Sequence, residues 1–300
     1  MIRIGTRKSE LALWQAKEVK AALELQGHRC ELVLIESNGD QDLNQPMYTM
    51  GIQGIFTKTL DTALLNKKID IAVHSLKDVP TLLPKGIQIK AVLSRGNPMD
   101  VLVYNTSFNA WETDASIGTG SLRRKAQWLR KYPNHKVENL RGNLQKRLEK
   151  LNNSEWSGAV FAQAGLERLD LLKVNHEVLE WMLPAPSQGI VGIACLETNR
   201  ALQEVLEKIN CTTTAKCAHI ERSFLNTLEG GCTAPIGAHA NFKNVKIYFK
   251  GGLFSLDGTI AILHEEATSS EQHEETGIKA AHEILNKGGK ELMHQIKSQL

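Results

Sequence analysis

Over roughly its first two hundred residues the chain alternates short β-rich apolar runs with stretches in which apolar residues recur at helical spacing. "MIRIG" is a short strand. Ser9 can cap the helix that follows, where Ala12, Ala16, Val19 and Leu23 form one apolar face. "CELVLIE", "IDIAVHS" and "IQIKAVLS" are further strands, with a helix from about Phe56 to Leu65 between the first two. This βαβ alternation predicts a parallel or mixed sheet with helices on both faces.

A similar cycle then restarts. "ASIGTGS" is strand and turn, "LRRKAQWLRKY" helix, and "HKVENLRG" strand and turn. "NLQKRLEKL" is helical, and "SGAVFAQAGL" is a buried strand entering a helix. "SRGNP" at 94–98 and "LPAPSQG" at 183–189 are the expected crossings between two such α/β domains, and "IVGIACLE" is a strand returning to the first. After about residue 212 the texture changes to one helix ending at Leu228, three strand-like runs and closing helices, an α+β pattern. The expected domains are 1–94 with 190–210, then 99–184, then 212–300. Residues 37–55 form a long polar, glycine-bearing stretch of the kind that serves as a lid or binding loop.

The composition, 42% hydrophobic and 23% charged, is that of a soluble globular protein. No run is long enough to span a membrane, and the start of the chain lacks a signal-peptide apolar core, so a cytoplasmic location is expected. The five scattered cysteines form no disulfide framework and no metal-ligand spacing. Cys211, Cys217 and His219 look loosely metal-like, but Cys217 shares helical spacing with Ile220, Phe224 and Leu228 and so faces a core. The net charge of +3 is unevenly spread. Residues 117–173 carry twelve Lys/Arg and five Asp/Glu, which leaves the rest of the chain at −4. A basic middle suits an anionic ligand or a nucleic acid.

Paired α/β domains bind small ligands beyond the carboxyl ends of their strands. Polar clusters follow the predicted strands there: Thr6, Arg7 and Ser9, then His74, Ser75, Lys77 and Asp78, then Thr119, Ser121, Arg123 and Arg124, then Arg141, Arg147 and Arg168. Arginine forks match carboxylates and phosphates, and Ser121 can open a helix whose N–H groups favour anions. Taken singly, most arginines are solvated surface charge. The basic helix also fits nucleic acid, although Trp128 with Leu122 and Leu129 is more simply its apolar face. Pyridoxal-phosphate chemistry at Lys58 or Lys77 lacks a phosphate loop. Asp78 is either a surface ion-pair partner or a group that stabilises a cation or moves protons. Cys232, behind two glycines in "LEGGCTAPIGA", is either a small buried filler or an exposed functional thiol.

Taken in order, "IGTRKSELALWQA", "DIAVHSLKDVP", "IGTGSLRRKAQ", "LRGNLQKRL", "AGLERL", "LPAPSQG" and "LEGGCTAPIGA" closely resemble the porphobilinogen deaminases (hydroxymethylbilane synthases) along essentially the whole chain. The resemblance implies a monomeric transferase that joins four porphobilinogen molecules head to tail into hydroxymethylbilane, releasing four ammonia, with no nucleic-acid, membrane or metal partner. It implies three domains, the first two resembling periplasmic binding proteins. It also implies a dipyrromethane cofactor held by a thioether to Cys232, with Lys77, Ser121, Arg123 and Arg124 binding that cofactor. Asp78 matches the catalytic carboxylate. Arg7, Ser9, Arg141, Arg147 and Arg168 match contacts to acetate and propionate side chains, and Phe56 a residue packed on the pyrroles.

The chain departs from the family pattern in places. Gln53 stands where lysine is frequent, Glu10 where proline is, and Ser187 where glycine is. "NPMD" at 97–100 replaces an aspartate and an arginine flanking the proline, which implies loss of ion pairs at a crossing. Two other classes fit the raw residues: a non-enzymatic anion-binding or sensor protein, and a nucleic-acid binder with strongly salt-dependent affinity.

Overall fold

The computed structural model describes residues 1–36, 57–104, 114–228 and 234–300. These gather into two units: 1–36, 57–96 and 189–216 in one, and 97–104, 114–188, 217–228 and 234–300 in the other. Two unit boundaries, 96/97 and 188/189, fall inside "SRGNP" and "LPAPSQG", and a third, 216/217, falls within the helix Thr212–Thr227.

The first unit is built on a five-stranded sheet of β1 (Ile2–Thr6), β2 (Cys30–Leu34), β3 (Ile71–Ser75), β4 (Ile87–Val92) and β10 (Val191–Leu196), ordered β2-β1-β3-β10-β4. β1 runs parallel to both neighbours, whereas β10 is antiparallel to β3 and β4. Side-chain alternation divides the strands between two cores. Ile71, Val73 and Ile193 meet α1 (Glu10–Leu25) and α6 (Arg200–Glu207) on one face. Ala72, Ala194 and Ile87 meet α2 (Lys58–Leu65) on the other. Of the α1 stripe, Ala16, Val19 and Leu23 are completely buried and Ala12, at the helix start, is half-buried.

The second unit repeats the plan. β5 (Asp100–Tyr104), β6 (Ser116–Gly118), β7 (Lys136–Glu138), β8 (Gly158–Ala162) and β9 (His176–Val178) are ordered β7-β6-β8-β5-β9. Here too three strands are parallel and the next is antiparallel. Val101, Val103 and Phe161 face α4 (Leu144–Asn152) and α5 (Gln163–Arg168). Leu102, Ile117 and Val160 face Trp128 on α3 (Leu122–Lys131). Trp128 is fully buried in this core, which favours the apolar-face reading of that helix.

In both sheets the antiparallel strand, β10 or β5, adjoins a crossing segment, so each half is completed by chain that has just crossed. The doubly wound α/β architecture with mixed sheets therefore forms twice. The remaining elements are the antiparallel sheet β11 (Ile236–Lys243), β12 (Lys246–Phe254) and β13 (Ala261–Ser269), with α7 (Thr212–Thr227), α8 (His273–Ile284) and α9 (Lys290–Gln299). Its core includes Cys217, Ile220, Phe224 and Leu228, the residues grouped by helical spacing. Among the described residues no helix is long and apolar enough to cross a membrane.

Candidate active site

In the first unit, parallel β1 and β3 pair with Gly5 opposite Ala72, so the residues after both strands emerge at one sheet edge. Arg7 and Ser9 leave β1 there. Ser9 caps α1, accepting from the Ala12 N–H at 3.4 Å, and the Thr6 hydroxyl donates to the Ala12 carbonyl at 3.0 Å. β3 ends at Ser75, whose hydroxyl takes a 2.8 Å bond from Gln15 of α1. A single 3-10 turn, Leu76–Asp78, follows and presents Lys77 and Asp78 half-buried. No described residue hydrogen-bonds to or pairs with the Asp78 carboxylate. His74, just inside the strand end, is held neutral: burial, helped by the Arg7 charge, lowers it to about 4.

In the second unit, parallel β7, β6 and β8 release Arg141, Ser121 and the α5 segment with Arg168 at one edge. Ser121 caps α3, accepting from the Arg124 N–H at 3.4 Å. Asn143 caps α4, and the Arg147 Nε donates to the Gly142 carbonyl at 2.7 Å. The loops after β6 and β7 touch: a Cβ on Gly120 would lie 2.6 Å from the Leu140 carbonyl oxygen.

Arg123 and Arg124 point inward to a residue that the sequence reading passed over. Asp100, at the start of β5, is completely buried and takes Arg123 Nη1 at 2.6 Å and Arg124 Nη2 at 2.8 Å. The Arg124 Nε and the Gln188 amide also donate to it, at 3.0 and 2.9 Å. Burial alone would raise this carboxyl, but the two guanidinium charges and the bonds from Arg123 and Gln188 outweigh it and hold it well below the usual carboxylate range. Arg123 also donates to the Leu183 carbonyl, and Arg124 to that of Val160. Asn97 and Met99, which flank the proline, carry no charge, but the last residue of "NPMD", Asp100, is the centre of a buried ion triad. Only the aspartate among its neighbours signalled this, because a charge heading an apolar strand needs a partner.

Ser187 has φ +63 and is buried, with its N–H donating to Glu221 at 2.5 Å. Glycine adopts that left-handed backbone without steric cost, which accounts for glycine being usual at this position, whereas Ser187 holds it with strain. Cys232, Phe56 and Gln53 lie outside the described residues.

Strand-end charge clusters at the edges of doubly wound sheets define a class of protein that binds anionic small molecules. Residues 2–204 match the family description "Porphobilinogen deaminase, dipyromethane cofactor binding domain", and residues 215–286 match "Porphobilinogen deaminase, C-terminal domain". A porphobilinogen deaminase of Desulforamulus reducens is 38% identical over 303 residues, covering 99% of this chain and 98% of its own. One from Carboxydothermus hydrogenoformans is 39% identical over 300 residues, covering 98% and 96%. The chain belongs to the porphobilinogen deaminase family. Among solved structures, the methionine-binding protein MetQ aligns with TM-score 0.45 and 14% identity over 69% of this chain and 87% of its own.

The family cofactor is dipyrromethane, a group that carries carboxylates. The donor set in the second unit fits it. Two buried guanidiniums against one carboxylate leave one surplus positive charge beside the capped N-terminus of α3.

Proposed function

We propose that this chain joins four porphobilinogen molecules head to tail into hydroxymethylbilane, releasing four ammonia, on a dipyrromethane primer attached to Cys232. The observation that carries the reading is the gathering of charged side chains at the strand ends: Asp78 with Arg7 and Lys77 at one sheet, and Arg123, Arg124, Arg141 and Arg168 at the other. When bound, the dipyrromethane supplies the fixed pyrrole end onto which units are added.

The chain's own residues do the rest. Asp78 sits on a short 3-10 turn, with its carboxylate uncommitted to partners among the described residues. There it accepts pyrrole N–H groups and stabilises the positive charge that develops as ammonia leaves. Arg7 and Ser9 hold acetate and propionate groups near it, and Lys77 holds the primer. Ser121, Arg123 and Arg124 hold the carboxylates of the primer, and Arg141, Arg147 and Arg168 those of the lengthening product. Phe56 packs on the pyrroles. The arginine fork suits these planar carboxylates better than lysine would.

The working protein is a cytoplasmic monomer with no nucleic-acid or membrane partner. Its domains are 1–94 with 190–210, 99–184 and 212–300. The separate sheets and separate cores support that division.

The test is the intact mass of the purified chain beside its Cys232→Ser variant. The expected result is an excess equal to two porphobilinogen units less two ammonia, absent from the variant. A wild-type chain that carries no adduct, and gains none with added porphobilinogen, would sink the reading and favour a non-enzymatic anion-binding protein.

A further inference from the structure

The triad around Asp100 does more than fill space. Two guanidiniums this deeply buried repel each other unless a counter-charge lies between them, and a site without one carries two uncompensated charges at low dielectric. Asp100 supplies that counter-charge from the first residue of β5, 23 and 24 positions before the arginines in sequence. Its own position is set from outside the pair. Gln188 donates to Asp100 at 2.9 Å and to the Pro98 carbonyl at 2.7 Å. The Leu183 carbonyl takes bonds from both Arg123, at 2.8 Å, and Gln127, at 2.9 Å.

Arg124 spends Nε, Nη1 and Nη2 on Asp100 and Val160. Arg123 spends only Nη1, on Asp100 and Leu183. The cluster is thus oriented by the protein before any ligand arrives, and its surplus is a single positive charge.

We infer that Asp100 is a positioning residue for the arginine pair, setting the charge of the buried cradle so that it accepts one carboxylate without rearranging its guanidiniums. The inference rests on the reading of Arg123 and Arg124 as ligand contacts. A purely structural tie would show the same bonds but no charge rule, so the test must read charge.

The experiment uses the full chain carrying Cys232→Ser, which cannot be primed. Asp100→Asn and the double variant Asp100→Asn/Arg123→Gln are melted in chloride, and with acetate or sulfate at matched ionic strength. Asp100→Asn keeps the shape but turns an amide nitrogen or an uncharged oxygen toward each guanidinium. It should lower the melting temperature by about 10 °C. It should also gain a larger stabilisation by the sulfate dianion than the parent does. The double variant returns the site to one surplus charge and should recover at least half of the lost melting temperature, together with the parent's smaller response to sulfate.

A double variant that melts below Asp100→Asn, or an Asp100→Asn response to sulfate equal to the parent's, would overturn the inference and leave Asp100 as packing. If Asp100→Asn is insoluble, a folded double variant still supports the inference, and an insoluble one rejects it. Primer loading on the Cys232 chain, followed by intact mass, separates the two claims. Failure of the unmutated chain to load rejects the proposed function, whereas the anion responses stand or fall independently.

Discussion

The two five-stranded sheets share one strand order and one pattern of parallel and antiparallel neighbours, yet their carboxyl edges differ: only the first sets a carboxylate, Asp78, on a turn among cations. The first edge carries a half-buried carboxylate on a tight turn, beside a histidine kept neutral. The second carries a buried ion triad with a positive surplus, and more arginines at the neighbouring strand ends. Equal topology means that the backbone delivers equivalent positions and the side chains alone assign the work. In the function proposed here, one edge serves chemistry at a developing cation and the other holds anions.

The largest effect should come from the first edge. Asp78→Asn removes charge with little change of shape, and turnover should fall by roughly 10²–10⁴-fold while substrate still binds. Single-turnover kinetics decides it, and near-normal turnover would remove Asp78 from the mechanism. The matching change at the second edge, Arg141→Leu, should spare the first addition and slow later ones by roughly tenfold or more. Short enzyme-bound intermediates should then accumulate in mass spectra. An unchanged distribution would make Arg141 a structural charge.

Acid should separate the halves as well. His74 is neutral when folded, lowered to about 4, so the unfolded chain binds the extra proton first. The stability this gives is intact above the ordinary histidine value near 6.5 and is lost as pH falls from there to about 4, for a total of about 3 kcal/mol. Asp100 is shifted down, so its contribution is intact above the ordinary carboxylate range and is lost only as pH falls below it. Hydrogen exchange measured across pH 7 to 4 should show β3 losing protection before β5. Equal loss in both strands would contradict the comparison.

Two smaller changes probe the second unit alone. Gly120→Ala pushes a methyl against the Leu140 carbonyl and should destabilise by about 1–3 kcal/mol in denaturant melts. Ser187→Gly relieves a left-handed serine whose hydroxyl is buried without a hydrogen bond, and should stabilise by about 1 kcal/mol. A loss of stability there would mean that the serine side chain contributes packing that outweighs the strain.

Much of this was legible in the chain. Ser9 and Ser121 announce the helices they cap, and the α1 stripe and the Cys217 face follow from periodicity. β5 leaves no periodic signal because a strand buried on both faces shows no alternation, and β9 leaves none because it has only three residues on a sheet edge. α6 went unread between two loops.

By itself the sequence determined the recurring α/β cycle, the strand ends that carry charge, and the motifs that place the chain in its family. These are local patterns, written within a few residues of one another. Only the tertiary structure decided that Asp100 lies between Arg123 and Arg124 with Gln188 closing the set, and that Ser187 takes a glycine's backbone. Asp100 and Gln188 are 88 positions apart. Periodicity reports which face a residue is on, not which distant charge it meets there, and that choice is made when the crossing segments bring β5 and β10 into their sheets.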